Sequence, residues 1–492
     1  MGGLPPPVRE PALKVPESTV SFVAMINSDK PSTVRPSVLP SVLPSVLPAV
    51  RALSAQLAGW RARPRSAARP QPRPVPADEE LPEACRDGRH PRQIDIPFRD
   101  SPPDSAERGR LRTQGRFLAR QDDWETLARG LREADIDRAA TLGGTPVARL
   151  LAEGAHSDAV ESALAAAGRN DPTAARASLF ALRDAIDRVE RDPWLALVPA
   201  LAHLAVARGW AGRPGAPVPG ALRRDARAQH LEAAQRLVAR FDPLECDSPA
   251  LAAVRCALLE LEPRPEARVI DDYEDLIDLD PACPDHMRAL GRDLRPSRFG
   301  NWDRLDHEAR RTAGRTADLW GSGAYAWVWF DALASGEAGA FAAVDGELFA
   351  EALHDILARR PDQHMANQLA AFCGLSLSGA AAPRSAQARI AGCFGWIVHN
   401  HLREIHPGLW ARARPIPGSV DAGERLRRGK SRALSALAEH FAHQLRLGRQ
   451  VRFSEAGIAL TPTPCSSCTL APCSALAYPR RDQRDEDTPC LT

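Results

Sequence analysis

Apolar residues recur at three- and four-residue spacing through most of the chain between residues 106 and 460, and each run closes on a turn signal. The pattern is clearest over residues 271–333. Tyr273, Leu276, Ile277 and Leu279 form the apolar side of one predicted helix, stopped at Asp280-Pro281. Met287, Leu290 and Leu294 mark a second, stopped at Arg295-Pro296. Trp302, Leu305 and Ala309 mark a third, which starts at Asn301, a residue whose side chain suits a helix N-cap. The aromatic run Tyr325, Trp327, Trp329 and Phe330 follows.

Upstream, Phe117, Trp124, Leu127 and Leu131 predict a first long helix over residues 106–134. Four dipeptides, Thr145-Pro146, Asp171-Pro172, Asp192-Pro193 and Ser248-Pro249, pair an N-capping side chain with a proline suited to a first helical turn. Phe349, Leu353, Ile356 and Leu357 form a further stripe that ends at Arg360-Pro361, and residues 394–402 and 433–447 are the last predicted helices. Sustained strand alternation is nearly absent. The expected fold is all-α: stacked helical hairpins, as a solenoid or a bundle.

This body is expected to occupy residues 106–460 between two unfolded flanks. Of the 44 prolines, 20 lie within the first 103 residues, and residues 37–48 are Ser-Val-Leu-Pro three times over. Proline at every fourth position removes backbone donors and disfavours helix, so residues 1–105 are expected to be disordered, with the repeat as an extended linker. After about residue 460 periodicity stops, and residues 461–492 are expected to be a disordered tail rich in Cys and Pro.

The segment Leu276-Ile277-Asp278-Leu279-Asp280-Pro281 followed by Met287-Arg288-Ala289-Leu290-Gly291 resembles a boundary between two tetratricopeptide-type repeats. A wider likeness runs over residues 122–410. It is carried by Trp124-Glu125-Thr126-Leu127, residues 205–210, residues 294–309, residues 325–329, residues 367–372 and residues 402–410. In this layout the chain is similar to a bacterial helical family of unknown function with degenerate tetratricopeptide-like repeats. The resemblance implies a helical repeat fold and no activity.

Composition narrows the remaining options. With 64 basic and 62 acidic residues the chain is nearly neutral, which does not favour nucleic acid. Only three basic residues are Lys, so the abundant Arg fits a genome rich in G and C and argues little by itself. The longest apolar stretch, residues 195–207, carries Pro199 and His203, and no membrane span is expected. Single Cys residues in helical patterns behave as small apolar groups, and a cytoplasmic location is expected.

Candidate chemistry is sparse. Cys465, Cys468 and Cys473, with Cys490 further on, have thiolate spacing but sit among Pro and Ser without apolar residues to frame a zinc site. His399, His401, His406, His440 and His443 gather near Glu404 and Glu439, yet no His-Glu-x-x-His motif occurs. Gly374-Leu375-Ser376-Leu377-Ser378 departs from a nucleophile elbow at its last position and follows a helix. Residues 402–453 hold eleven Arg or Lys against four Asp or Glu but few interleaved aromatics, which reads as a solvated connector. No catalytic residue, cofactor or metal is therefore expected. The expected function is a non-catalytic helical scaffold for a protein or peptide, with Trp320, Tyr325, Trp327 and Trp329 as the candidate partner groove. The alternative is a metal-dependent enzyme built on the His-rich C-terminal helices.

Overall fold

The computed structural model describes residues 93–187, 192–212, 220–377, 381–415 and 420–462, all within one compact unit, Glu80–Thr492. The Ser-Val-Leu-Pro repeat and the four Cys of the C-terminal tail lie outside the described residues. Among the described residues the fold is almost entirely helical. In chain order it runs through β1 (Ile94–Asp95), α1 (Pro103–Arg120), α2 (Trp124–Ile136), α3 (Val147–Ala155), α4 (Ser157–Gly168), α5 (Pro172–Asp187), α6 (Pro193–Ala211), α7 (Ala221–Val238) and α8 (Pro249–Ala257). The second half comprises α9 (Pro265–Leu279), α10 (Pro284–Asp293), α11 (Trp302–Arg315), α12 (Ala317–Trp320), α13 (Gly323–Ala334), α14 (Ala340–Ala343), α15 (Gly346–Arg359) and α16 (Gln363–Ala371). It closes with α17 (Ala386–Asn400), α18 (Pro407–Arg412), α19 (Ala422–His440), α20 (Ala442–Arg446), β2 (Arg449–Ser454) and β3 (Gly457–Pro462).

Helices pack mainly on chain neighbours: α1 on α3, α4 on α5 and α6, α6 on α7, α10 on α13, α13 on α15, α15 on α17 and α18 on α19. Local pairing of this kind is what stacked hairpins require. Two large cores result. One is built by α1–α3 with α6–α8, the other by α9 through α20 around Tyr325, Trp327, Trp329, Phe349, Phe372 and Trp410. A smaller cluster joins α4 and α5 to α6.

The caps explain why the helices start where they do. Asp192 accepts from Trp194 N and Leu195 N, Ser248 from Leu251 N, Asn301 from Arg304 N, and Asp171 from Thr173 N and Ala174 N. At Pro146 the helix begins one residue later than the dipeptide suggests, with the proline itself as N-cap. Glycines let some neighbours approach backbone to backbone. A Cβ at Gly291 of α10 would lie 1.7 Å from the Val328 carbonyl oxygen of α13. One at Gly115 of α1 would lie 2.0 Å from the Leu151 oxygen of α3.

Three expectations need correction. The predicted helix over residues 106–134 is two helices, because Asp122 takes a left-handed φ of 52° and Asp123 then caps α2 through Thr126 N. Phe117, assigned to the apolar stripe, is 60% exposed, whereas Trp124, Leu127 and Leu131 are buried. The folded body begins before residue 106: α1 starts at Pro103, Ile94 and Ile96 are buried, and β1 pairs in parallel with β2. The strands escaped notice because β1 is two residues long, and only Val451 and Phe453 are buried along β2.

Helix α6 is long and apolar enough to cross a membrane by length and composition. Most of it, from Trp194 to Trp210, is buried inside the body, which accounts for its apolar character.

Candidate anion-binding cavity

Between the helices of the first core and the α9–α10 pair lies a cavity of about 560 Å³, within the usual range of small-ligand sites. Seven arginines border it: Arg138, Arg149, Arg208, Arg227, Arg288, Arg292 and Arg298. Five carboxylates face them: Asp135, Glu260, Asp280, Asp285 and Asp293. Apolar walls come from Leu197, Leu201 and Leu204 of α6, Leu231 of α7 and Leu276 of α9. The wall residues recur at helical spacing on α6 and α10, so the helices that build the cores also set the cavity.

Six of the arginines are engaged. Arg138 binds the Leu279 carbonyl at 2.8 Å and pairs with Asp247. Arg149 pairs with Glu153 at 2.9 Å and lies 3.7 Å from Asp285. Arg227 pairs with Glu260, and Arg298 with Asp293 at 3.1 Å. Asp331 holds Arg288 at 2.7 Å and also Arg292. Burial disfavours the charge on Arg292, yet Asp331 keeps its pKa above the ordinary value.

Arg208, near the end of α6, differs. Among the described residues no hydrogen bond or ion pair holds it. Solvent reaches it from the cavity, but the protein around it depresses its pKa, first by desolvation and then through the neighbouring charge of Arg149. Glu153 offers only a weaker opposing attraction. Arg149, Leu201 and Arg208 also border a second cavity of about 490 Å³, together with Arg112, Arg116 and His156.

At the other side of the first cavity, Asp280, Cys283 and His286 converge, each buried, with their ligand-type atoms all within 4.8 Å of one another. His286 Nε2 lies 3.4 Å from Asp280 Oδ2 without hydrogen-bond geometry, and has no other partner. Burial opposes protonation of His286, yet Cys283 and Asp280 beside it push its pKa up to about 10. The turn between α9 and α10 brings them together: the backbone bends at Asp280-Pro281, and Pro284 starts the next helix.

The residues proposed from sequence are placed otherwise. Trp320, Tyr325, Trp327 and Trp329 are buried, at most 3% exposed, and belong to the second core instead of bordering an open groove. Trp320 donates from Nε1 to the Pro281 carbonyl, while Tyr325 donates to Asp306 at 2.5 Å and accepts from Asp345 N. Their large apolar faces fill the space where α13 meets α11 and α15. Trp302, capped in as expected, stacks on Trp329 at 5.9 Å and donates to the Ala338 carbonyl, half-buried at the rim of that core.

Of the five C-terminal histidines, only His399 and His440 meet, with Nε2 atoms 3.3 Å apart. His401 packs edge-on to Trp396, and His406 is buried against Glu404 at 2.9 Å. His443 joins no ligand cluster among the described residues.

No family profile, curated protein or solved structure matches this chain. Sequence reasoning missed both features of the cavity. The arginines are scattered from 138 to 298, so their convergence leaves no local signature. The trio does leave one, since Asp-x-x-Cys-x-x-His spans a single helix-to-helix turn in which three ligand types recur every third residue.

Proposed function

We propose that this chain is a non-catalytic helical scaffold that receives, in the arginine-lined cavity, an anionic group presented by a protein or peptide partner. The observation that carries this reading is Arg208. Its guanidinium faces the cavity, exposed and with no hydrogen bond or ion pair of its own among the described residues, so an incoming carboxylate or phosphate can take it in a bidentate contact. The paired arginines around it are already oriented by Glu153, Asp331 and Asp293, so little ordering remains to be done on binding. The local packing of helix on helix and the tetratricopeptide-like spacing near residue 280 support a repeat-type binding protein. The five described cysteines that are unbridged fit a reducing, cytoplasmic setting.

The test uses the full chain and a fluorescein-labelled hexaglutamate peptide, read by polarisation against a hexalysine control. Binding is expected for the acidic peptide only, weakening as salt rises. Arg208→Gln should weaken it about tenfold, the usual worth of one charged hydrogen bond, and Arg208→Glu should abolish it. Equal binding by wild type and Arg208→Glu would remove the basis of the proposal.

A further inference from the structure

We infer that Asp280, Cys283 and His286 form a binding site for a divalent transition metal of the zinc type, with its fourth coordination position open toward the arginine-lined cavity. The inference stands on the trio's own geometry and holds whether or not the cavity takes an anion.

The donor set combines a thiol, an imidazole and a carboxylate, the three protein ligand types that zinc takes, and three such ligands with one free position is the usual form of an open zinc site. A tetrahedral ion needs ligand atoms about 3.3–3.6 Å apart, given bond lengths of about 2.0–2.3 Å. His286 and Asp280 already meet that spacing at 3.4 Å, and all three donors fall within 4.8 Å. Small side-chain rotations would close the remainder.

His286 supplies the second observation. Its side chain is 8% exposed and its Nε2 makes no hydrogen bond; Asp280 Oδ2 faces it at 3.4 Å, the separation of two ligands on one ion rather than of a donor and its acceptor. The trio is also asymmetric. Asp280 and His286 border the cavity, whereas Cys283 does not and donates instead to the Gly144 carbonyl at 3.6 Å. A thiol set back from the wall is badly placed to attack a substrate, which counts against a Cys-His nucleophile. It is well placed to hold an ion from behind, as a thiolate, while the opposite side faces the cavity.

The test must separate this site from the C-terminal cysteines. Full-length protein carrying Cys465→Ser, Cys468→Ser and Cys473→Ser is stripped with chelator and titrated with Co²⁺, followed by absorption. One equivalent should bind with a thiolate-to-cobalt charge-transfer band in the near ultraviolet, and Zn²⁺ should bleach it. Adding Cys283→Ser should remove the band. To guard against a folding defect in that variant, Asp280→Asn is measured in parallel, and it should keep the band while weakening affinity about tenfold or more. Absence of the band in the parent, a band that survives Cys283→Ser, or an unchanged affinity in Asp280→Asn would each overturn the assignment.

Discussion

Asn367, on α16, is fully buried and uses every hydrogen-bonding position of its amide. Its Nδ2 donates to the carbonyls of Gln363 and Glu404, each at 2.8 Å. Its Oδ1 accepts from His406 N at 2.9 Å and from Trp410 Nε1 at 3.0 Å. One side chain thus fastens the 401–406 loop and α18 to α16. Asn367→Ala would strand three groups in a dry interior: the His406 amide, the Trp410 indole N–H and the Glu404 carbonyl. At about 1–3 kcal/mol for each of the three orphaned buried groups, the expected loss is roughly 3–9 kcal/mol, a large share of the ~5–15 kcal/mol that holds a folded unit together. Urea titration followed by circular dichroism should show a lower midpoint with an unchanged slope. Asn367→Asp gives an internal check. It keeps both acceptor contacts but sets a carboxylate oxygen against two carbonyls, so it should be destabilising at neutral pH and recover in acid, when the carboxyl can donate again. Asn367→Ala within about 0.5 kcal/mol of wild type would refute the account, since a surface substitution typically has an effect of that size.

Two further predictions concern packing and pH. Gly291→Ala should force α10 away from α13, because its Cβ would sit 1.7 Å from the Val328 oxygen; a loss of about 1–3 kcal/mol or more in the same assay is expected, and wild-type stability would show that the helices are not in contact there. Acid should destabilise the fold through His156, His203 and His230, whose folded pKa values are pushed by burial from 6.5 down to about 4. These neutral rings contribute fully above pH 6.5, and their contribution is lost as pH falls from there to about 4. The ceiling is roughly 3 kcal/mol per independent ring, and His203 and His230, with Nδ1 atoms 2.9 Å apart, act together. Asp135 has the opposite sign: burial raises its pKa, so acid relieves rather than adds to its penalty. A flat stability profile between pH 7 and 4.5 would contradict the histidine assignment.

The helical skeleton was legible because each helix is announced locally. Asp192, Ser248 and Asn301 lie beside the turns they cap, and the Phe349, Leu353, Ile356 and Leu357 stripe falls on one buried face. What depends on distant residues was not legible. Trp320, Tyr325, Trp327 and Trp329 carry the same signal whether they fill a core or border a groove, and only the positions of α11 and α15 decide. Arg208 stands out only once the counter-charges of the other six cavity arginines can be traced, and these come from α3, α10, α13 and the segments on either side of α8, far apart in the chain. The break at Asp122 was local, but a single left-handed residue between two apolar stripes in phase is easily read through. Ile94 and Ile96 were hidden for another reason: two apolar residues beside a proline have no period at all.

The pairing of Ile94 with Val451 brings together residues separated by most of the chain, and Arg452 reaches Asp95 across 357 positions. A growing chain emerges from the ribosome N-terminus first, so β1 exists long before its partner does. Helices α1 to α17 can settle locally in that interval, each on neighbours already made, while Ile94 and Ile96 wait uncovered. Phe98 and Arg99 meet Ile405, and Asp100 meets Lys430, only slightly earlier. Among the described residues folding therefore ends where synthesis starts: the first of them to be made are among the last to find their place, and whatever shields two isoleucines during that delay matters more for yield than for the stability of the finished protein.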